Sequence, residues 1–295
     1  NNVLRDMNEV ELTSSNFTSS RGVQTTVKDY INRSISDILN AEINWPFTRA
    51  EGSVDAIAGK QLYSFASIAS TLKYIDYDNV FLMPKDYITN GDFEISGSAS
   101  ITNWATVSGS PAASSKFGNT LLLTSAKSSQ EVEDLIVGKS YVILIQTSGA
   151  TLTLDVGTSS GGTQTKTTTL TIASGNEVLL SEVTFTATAT THYVTFTESA
   201  GATAYVKLVQ LAENITSIGL KYISYEEYSE RYRERDSRPD TDKFSDPEFI
   251  YTTYNDEIGL SPIPDTSNRT IKFDYYTSNV DLSAHDDTGI IPTRF

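Results

Sequence analysis

The chain has 295 residues, 38% of them hydrophobic and 10% aromatic, with no cysteine; this is enough apolar material for real cores, suggests two domains more readily than one, and excludes disulfide staples and thiolate metal sites. Its formal net charge is −15, from 22 basic and 37 acidic residues, which repels phosphate backbones and excludes a broad nucleic-acid grip, although acidity also serves solubility alone. The apolar runs are as short as Tyr141–Ile145 and the opening NNVLRDMNEVEL is polar, so neither a membrane span nor a secretory leader is expected.

Val3, Leu4, Met7 and Val10 share one face at helical spacing, and TSSNFTSSRG from Thr13 reads as a polar linker. A stronger helix follows, with Val27, Tyr30, Ile31, Ile35, Ile38 and Leu39 on one stripe and Thr26 with Asp29 as a capping box. Trp45-Pro46-Phe47 ends it, because proline disfavours helical geometry in the residue before it. Gln61–Phe65 and Leu72–Asp78 then alternate as strands do.

Near Ile88 the composition changes. From Thr89 to about Glu213 the chain is rich in Thr, Ser, Gly and Ala, and segments such as KSYVILIQT, ATLTLDVGT and THYVTFTE alternate between Gly/Ser turns. That pattern indicates an all-β sandwich, in preference to a mucin-like stalk. After Asn214 the earlier character returns. LKYISYE, from Leu220, echoes LKYIDYD, from Leu72. A charged helix is expected near Tyr225 to Arg235, read either as a docking surface carried by Tyr225, Arg231, Arg233 and Arg235 or as a solvated face. Short strands follow, with turns at Asn255-Asp256 and Pro264-Asp265.

The echo suggests neighbouring strands of one sheet whose connection is a whole domain. A sandwich whose first strand pairs with its last has adjacent termini and suits insertion at a surface loop. Residues 1–87 with 215–295 are therefore expected to form one split body, and 88–214 a guest; the fold class expected is α+β, a helical bundle plus small sheet interrupted by an all-β jelly-roll sandwich. Duplication is the alternative, but the two strings stop matching after seven positions.

Across the split body, VLRDMNEVEL, DYINRSISDILNAEINWPF, GKQLYSF, LKYIDYDNVFL, LKYISYEEYSERYRERDSRPD, LSPIPDTSNRTIKFDYYT and DLSAHDDTGIIPTRF occur in that order. This series resembles the head-to-tail adaptors of tailed bacteriophages, of the tail tubular protein A type. The resemblance implies a structural virion protein that binds below the portal protein as a ring of twelve copies. Such a ring would bridge to the tail tube or nozzle protein and continue the DNA channel, which genomic DNA crosses without specific binding. It further implies assembly in the host cytoplasm and no membrane partner. The family pattern continues with helical sequence after the Ile-Pro motif, whereas this chain stops at Phe295. An acidic bore would let a duplex slide.

The guest segment, with ITNGDFEISG, ITNW, LIVGKSYVILIQTSGATLTLDVGT and TFTATATTHYVTFT, resembles galactose-binding-like, carbohydrate-binding jelly rolls. In the adaptor setting that guest would serve decoration, tail-fibre attachment or glycan contact. Fold alone does not set such a function. Trp104, Tyr141 and Tyr193 are the candidates to stack on sugar rings, against the usual burial of strand aromatics. Asp92 and Glu94 are weak candidates for a structural Ca²⁺ or a glycosidase pair. His192 reads as a sheet surface residue and His285, with Asp286 and Asp287, as a polar turn. GTSSGGT from Gly157 lacks the Lys-Ser/Thr ending of a phosphate loop and reads as a hairpin loop. Asn16, Asn32, Asn214 and Asn268 head N-x-S/T triplets that have no use outside a secretory route. GTSSG at Gly157–Gly161 has the GxSxG spacing but falls within the Gly/Ser hairpin loop, and there is no HExxH, so neither an enzyme nor a cofactor is expected. The readings in order are a virion adaptor, a cell-surface carbohydrate-binding protein and a glycan-cleaving enzyme.

Overall fold

Alternating apolar residues close into sheets in both parts of the chain. The computed structural model describes residues 13–15, 17–42, 45–94, 101–171, 178–231, 250–264, 266–278 and 291. Two compact units emerge, 1–83 with 217–295, and 84–216.

The split unit holds helix α1 (Val23–Ala41), strands β1 (Arg49–Asp55), β2 (Leu62–Ser64) and β3 (Leu72–Pro84), then β14 (Ile218–Gly219), β15 (Lys221–Tyr222), helix α2 (Tyr225–Arg231), β16 (Ile250–Tyr254), β17 (Glu257–Ser261) and β18 (Arg269–Thr277). One sheet runs β1-β18-β3-β14 and the other β15-β16-β17-β2. Ile75, Val80, Ile271 and Phe273 from the first sheet share a core with Tyr63, Tyr251, Ile258 and Leu260 from the second, and the buried Tyr251 hydroxyl donates to the Tyr77 carbonyl across it at 2.9 Å.

This corrects the expected helical bundle: among the described residues the split body is mainly β. The stripe on α1 does form a helix, but Leu39 is its buried residue while Tyr30, Ile31 and Ile38 are exposed. No helix packs along it among the described residues, and a bundle requires facing apolar stripes. The helix also starts at Val23, ahead of the expected capping box; Gly22 stands at its N-cap without a side-chain cap, and Thr26 Oγ1 donates back to the Gly22 carbonyl at 3.2 Å. The strings beginning at Leu72 and Leu220 lie in the same unit, yet the ladder forms further along: Ile218 pairs with Leu82 and Gly219 with Phe81. Lys221 and Tyr222 leave for the second sheet, parallel to Ile250 and Tyr251. Asn255 and Asp256 both take positive φ, 50° and 58°, as a two-residue hairpin loop of the primed type requires. The stretches around Val3, Arg233, Arg235 and His285 lie outside the described residues.

The second unit is a sandwich of two five-stranded antiparallel sheets. Its strands are β4 (Ala105–Ser108), β5 (Ala112–Ser114), β6 (Thr120–Leu123), β7 (Ala126–Val132), β8 (Ser140–Gly149), β9 (Leu152–Gly157), β10 (Lys166–Leu170), β11 (Leu179–Thr186), β12 (His192–Glu198) and β13 (Ala204–Glu213). The orders are β10-β9-β12-β7-β4 and β11-β8-β13-β6-β5. Leu154, Val156, Val194 and Phe196 from one sheet meet Ile143, Ile145, Val206 and Val209 from the other, all fully buried. The ends of this unit run side by side. Tyr87 N donates to the Leu211 carbonyl at 2.8 Å, Leu211 N to Asp86 Oδ1 at 3.0 Å, and Val209 N to the Gly91 carbonyl at 2.8 Å. At Gly91 an added Cβ would stand 2.0 Å from the Val209 carbonyl oxygen, so only glycine allows this approach.

Candidate functional site

The period of two along a strand sends alternate side chains to opposite faces. In β12, Val194 and Phe196 enter the core, so Tyr193, Thr195 and Thr197 point outward. In β7 the outward set is Lys127, Ser129 and Glu131, and in β9 it is Thr153, Asp155 and Gly157. The register aligns these sets: Tyr193 lies between Glu131 and Gly157, and Thr195 between Ser129 and Asp155.

The outer face so built carries a hollow of about 360 Å³, with Tyr193 and Glu131 on one side, Asn103 and Trp104 on another, and Ser129 and Ser160 completing it. Gly157 lies opposite Tyr193 in the register, and the space over it is filled by the loop that follows β9. A Cβ there would meet Gln164 Oε1 at 2.3 Å and the Gly162 carbonyl carbon at 2.5 Å. The loop after β9 therefore folds back close to the strand, and Lys127 Nζ pins it through the Gly161 carbonyl at 3.1 Å. Inside the hollow the half-buried Tyr193 hydroxyl donates to Glu131 Oε1 at 2.8 Å. That hydrogen bond, with burial and the charges of Glu131 and Glu133, pushes the Tyr193 phenol up. Ser129 Oγ and Thr195 Oγ1 share a buried hydrogen bond at 2.9 Å. Asp155, 4% exposed, keeps Oδ1 without a partner among the described residues. Tyr193, Glu131 and Ser160 present an aromatic ring, a carboxylate and a hydroxyl on one open surface, while Ser129, Thr195 and Asp155 are buried beneath it.

Of the aromatic candidates, Tyr193 and Trp104 meet at this hollow and Tyr141 does not. Tyr141 is fully buried, its ring beside Phe185, its hydroxyl accepting from Ile136 N at 2.8 Å. It serves the core, which corrects the expectation that it faces a ligand. Trp104 is 7% exposed, packs near Phe93 and Phe196, and donates from Nε1 to the Asn90 carbonyl at 3.2 Å; it lines the hollow but leaves little ring surface open to it. Asp92 and Glu94 are exposed, and no cluster of three His, Cys, Asp or Glu fit to hold a metal occurs among the described residues. Around them Asn90 uses its amide on the Glu94 and Thr102 carbonyls, and Phe93 is fully buried. The Asn-Gly-Asp-Phe turn thus fastens the unit's entry to β13.

His192, expected on the sheet surface, is instead fully buried beside Phe185, because it shares the inward face of β12 with Val194 and Phe196. Tyr225 stacks on Tyr254 with ring centroids 3.8 Å apart; the backbone of Arg231 ends α2, while Arg233 and Arg235 lie outside the described residues. The residues that sequence reasoning passed over are Glu131, Ser129, Asp155, Asn103 and Ser160. Alternation alone marks Glu131 and Asp155 as outward; only the pairing register puts Glu131 opposite Tyr193.

No family model matches the chain, and no curated protein matches it. Among solved structures, it is similar to the enzymatically active domain of bacteriophage CBA120 tailspike protein 4, with 14% identity over 43% of this chain and 21% of that chain, TM-score 0.34. The module TmCBM61, solved with β-1,4-galactotriose, shares 18% identity over 44% of this chain and 99% of its own, TM-score 0.34. The carbohydrate-binding module CBM36, solved with calcium and xylotriose, shares 12% over 37% of this chain and 94% of its own, TM-score 0.30. At these scores the likeness assigns neither ligand nor activity to this chain, and it spans only a fifth of the tailspike chain.

Proposed function

We propose that the second unit is a glycan-binding module and that its outer-face hollow is the binding site. The observation that carries this reading is the Tyr193–Glu131 pair in an open hollow that Ser160 and Asn103 also line. A sugar ring has one apolar face and a rim of hydroxyls. The aromatic surface suits the first and the carboxylate, amide and hydroxyl groups suit the second. The reading is one of binding without cleavage. Calorimetric titration of the whole chain with an oligosaccharide panel tests it. Tyr193→Ala is expected to weaken the best ligand by roughly tenfold or more, with no reducing ends released by the parent chain. A parent chain that binds nothing in the panel overturns the reading.

A second reading keeps the split unit as a virion connector that assembles into a ring at the portal. The exposed apolar residues of α1, Tyr30, Ile31 and Ile38, favour it, because an unburied stripe of this kind suits a partner. Light scattering, alone and with a portal protein, distinguishes an assembling chain from a monomeric module.

A further inference from the structure

The glycan-binding reading leaves open which glycans the hollow accepts, and its charge bears on that. We propose that Glu131 makes the hollow selective for uncharged glycans, by holding the Tyr193 ring and by repelling uronate and sulfate groups; the proposal rests on the reading above. Glu131 occupies the hollow itself, and Oε1 accepts from Tyr193 at 2.8 Å. Its other oxygen is left as an acceptor for a sugar hydroxyl, which an uncharged ring supplies in abundance. A ligand carboxylate or sulfate brings only acceptors and a like charge to the same place.

The surrounding charges reinforce the sign. Glu133 is exposed two residues further along and acts on the Tyr193 hydroxyl. Asp155 lies one row away on the same face, 4% exposed, with Oδ1 unpartnered among the described residues. The nearby cation on β7 is Lys127, and its Nζ is engaged by the Gly161 carbonyl at 3.1 Å. The chain's net charge of −15 adds a repulsive background.

The experiment is titration of the whole chain at low salt with neutral gluco-, galacto- and xylo-oligosaccharides and with glucuronate and galacturonate oligomers of equal length. The parent chain is expected to bind its best neutral ligand at least about tenfold tighter than any uronate, with the gap narrowing as NaCl is raised. Glu131→Gln removes the charge but keeps an acceptor for the Tyr193 hydroxyl, so the ratio of neutral to uronate affinity should fall towards one, whatever the neutral affinity itself becomes. Glu131→Ala should weaken neutral binding, because the Tyr193 ring loses its hold. Uronates bound by the parent chain as tightly as neutral sugars, or a gap unchanged by Glu131→Gln, overturn the selectivity while leaving the glycan site standing. A parent chain that binds neither class removes the glycan site and the selectivity together.

Discussion

His192 is fully buried beside Phe185, with Nε2 3.3 Å from Thr188 Oγ1. Burial pushes its pKa below the usual 6.5, against a smaller raising effect from a backbone hydrogen bond at Ala189. The unfolded chain therefore takes up this proton first. Stability from the neutral ring is present above pH 6.5 and lost as pH falls below it, at a limiting slope of about 1.4 kcal/mol per pH unit. Glu198 acts in a separate window. Burial pushes its carboxyl up, but backbone N–H groups of Ser125, Ala200, Ala202 and Gly201 together outweigh that and hold it below 4.5, with Ser125 N at 2.7 Å and Ala200 N at 2.8 Å. Its contribution is present above 4.5 and lost only as pH falls further. Urea midpoints between pH 7 and 5 should fall for the parent chain and fall less for His192→Gln; equal slopes would show that His192 does not carry the effect.

Among the elements, α1 shows how much of the structure was legible and where legibility stopped. Its stripe declared a helix at the right place, because helical periodicity is a local property of the backbone. What the stripe faces is not local, and the structure leaves Ile31 and Ile38 exposed at 46% each. Replacing both with serine is expected to lower unfolding free energy by no more than about 3 kcal/mol, since each side chain is only about half covered. Thermal denaturation checks this, and light scattering of the same variant should show any ring assembly lost. A large destabilisation would place these side chains in a core within the chain. The hairpin at Asn255-Asp256 was readable from its turn residues. The β12 and β7 strands were readable from alternation, whereas the opposition of Tyr193 and Glu131 was not, because register belongs to two strands at once.

At the scale of the whole molecule, the unit of residues 84–216 has its own core and adjacent ends. The segment at Asp86–Gly91 runs along Val209–Leu211 through backbone bonds. Cut out by itself, it is expected to unfold in one cooperative transition, and to keep any glycan affinity of the parent chain. Circular dichroism and the same titration check both, and a molten fragment would show that the split unit is needed to hold it. Composition, turn residues and the change of character near Ile88 determined by themselves that the chain has cores, that its middle is a β-sandwich, and that Asn255-Asp256 forms a turn. The tertiary structure decided that the split body is built on sheets and that Tyr141 is interior. It also decided that Tyr193, Glu131 and Ser129 meet at one hollow. The physical reason is common to all three. Periodicity tells which face of an element is apolar, but burial and proximity depend on what other elements bring to that face.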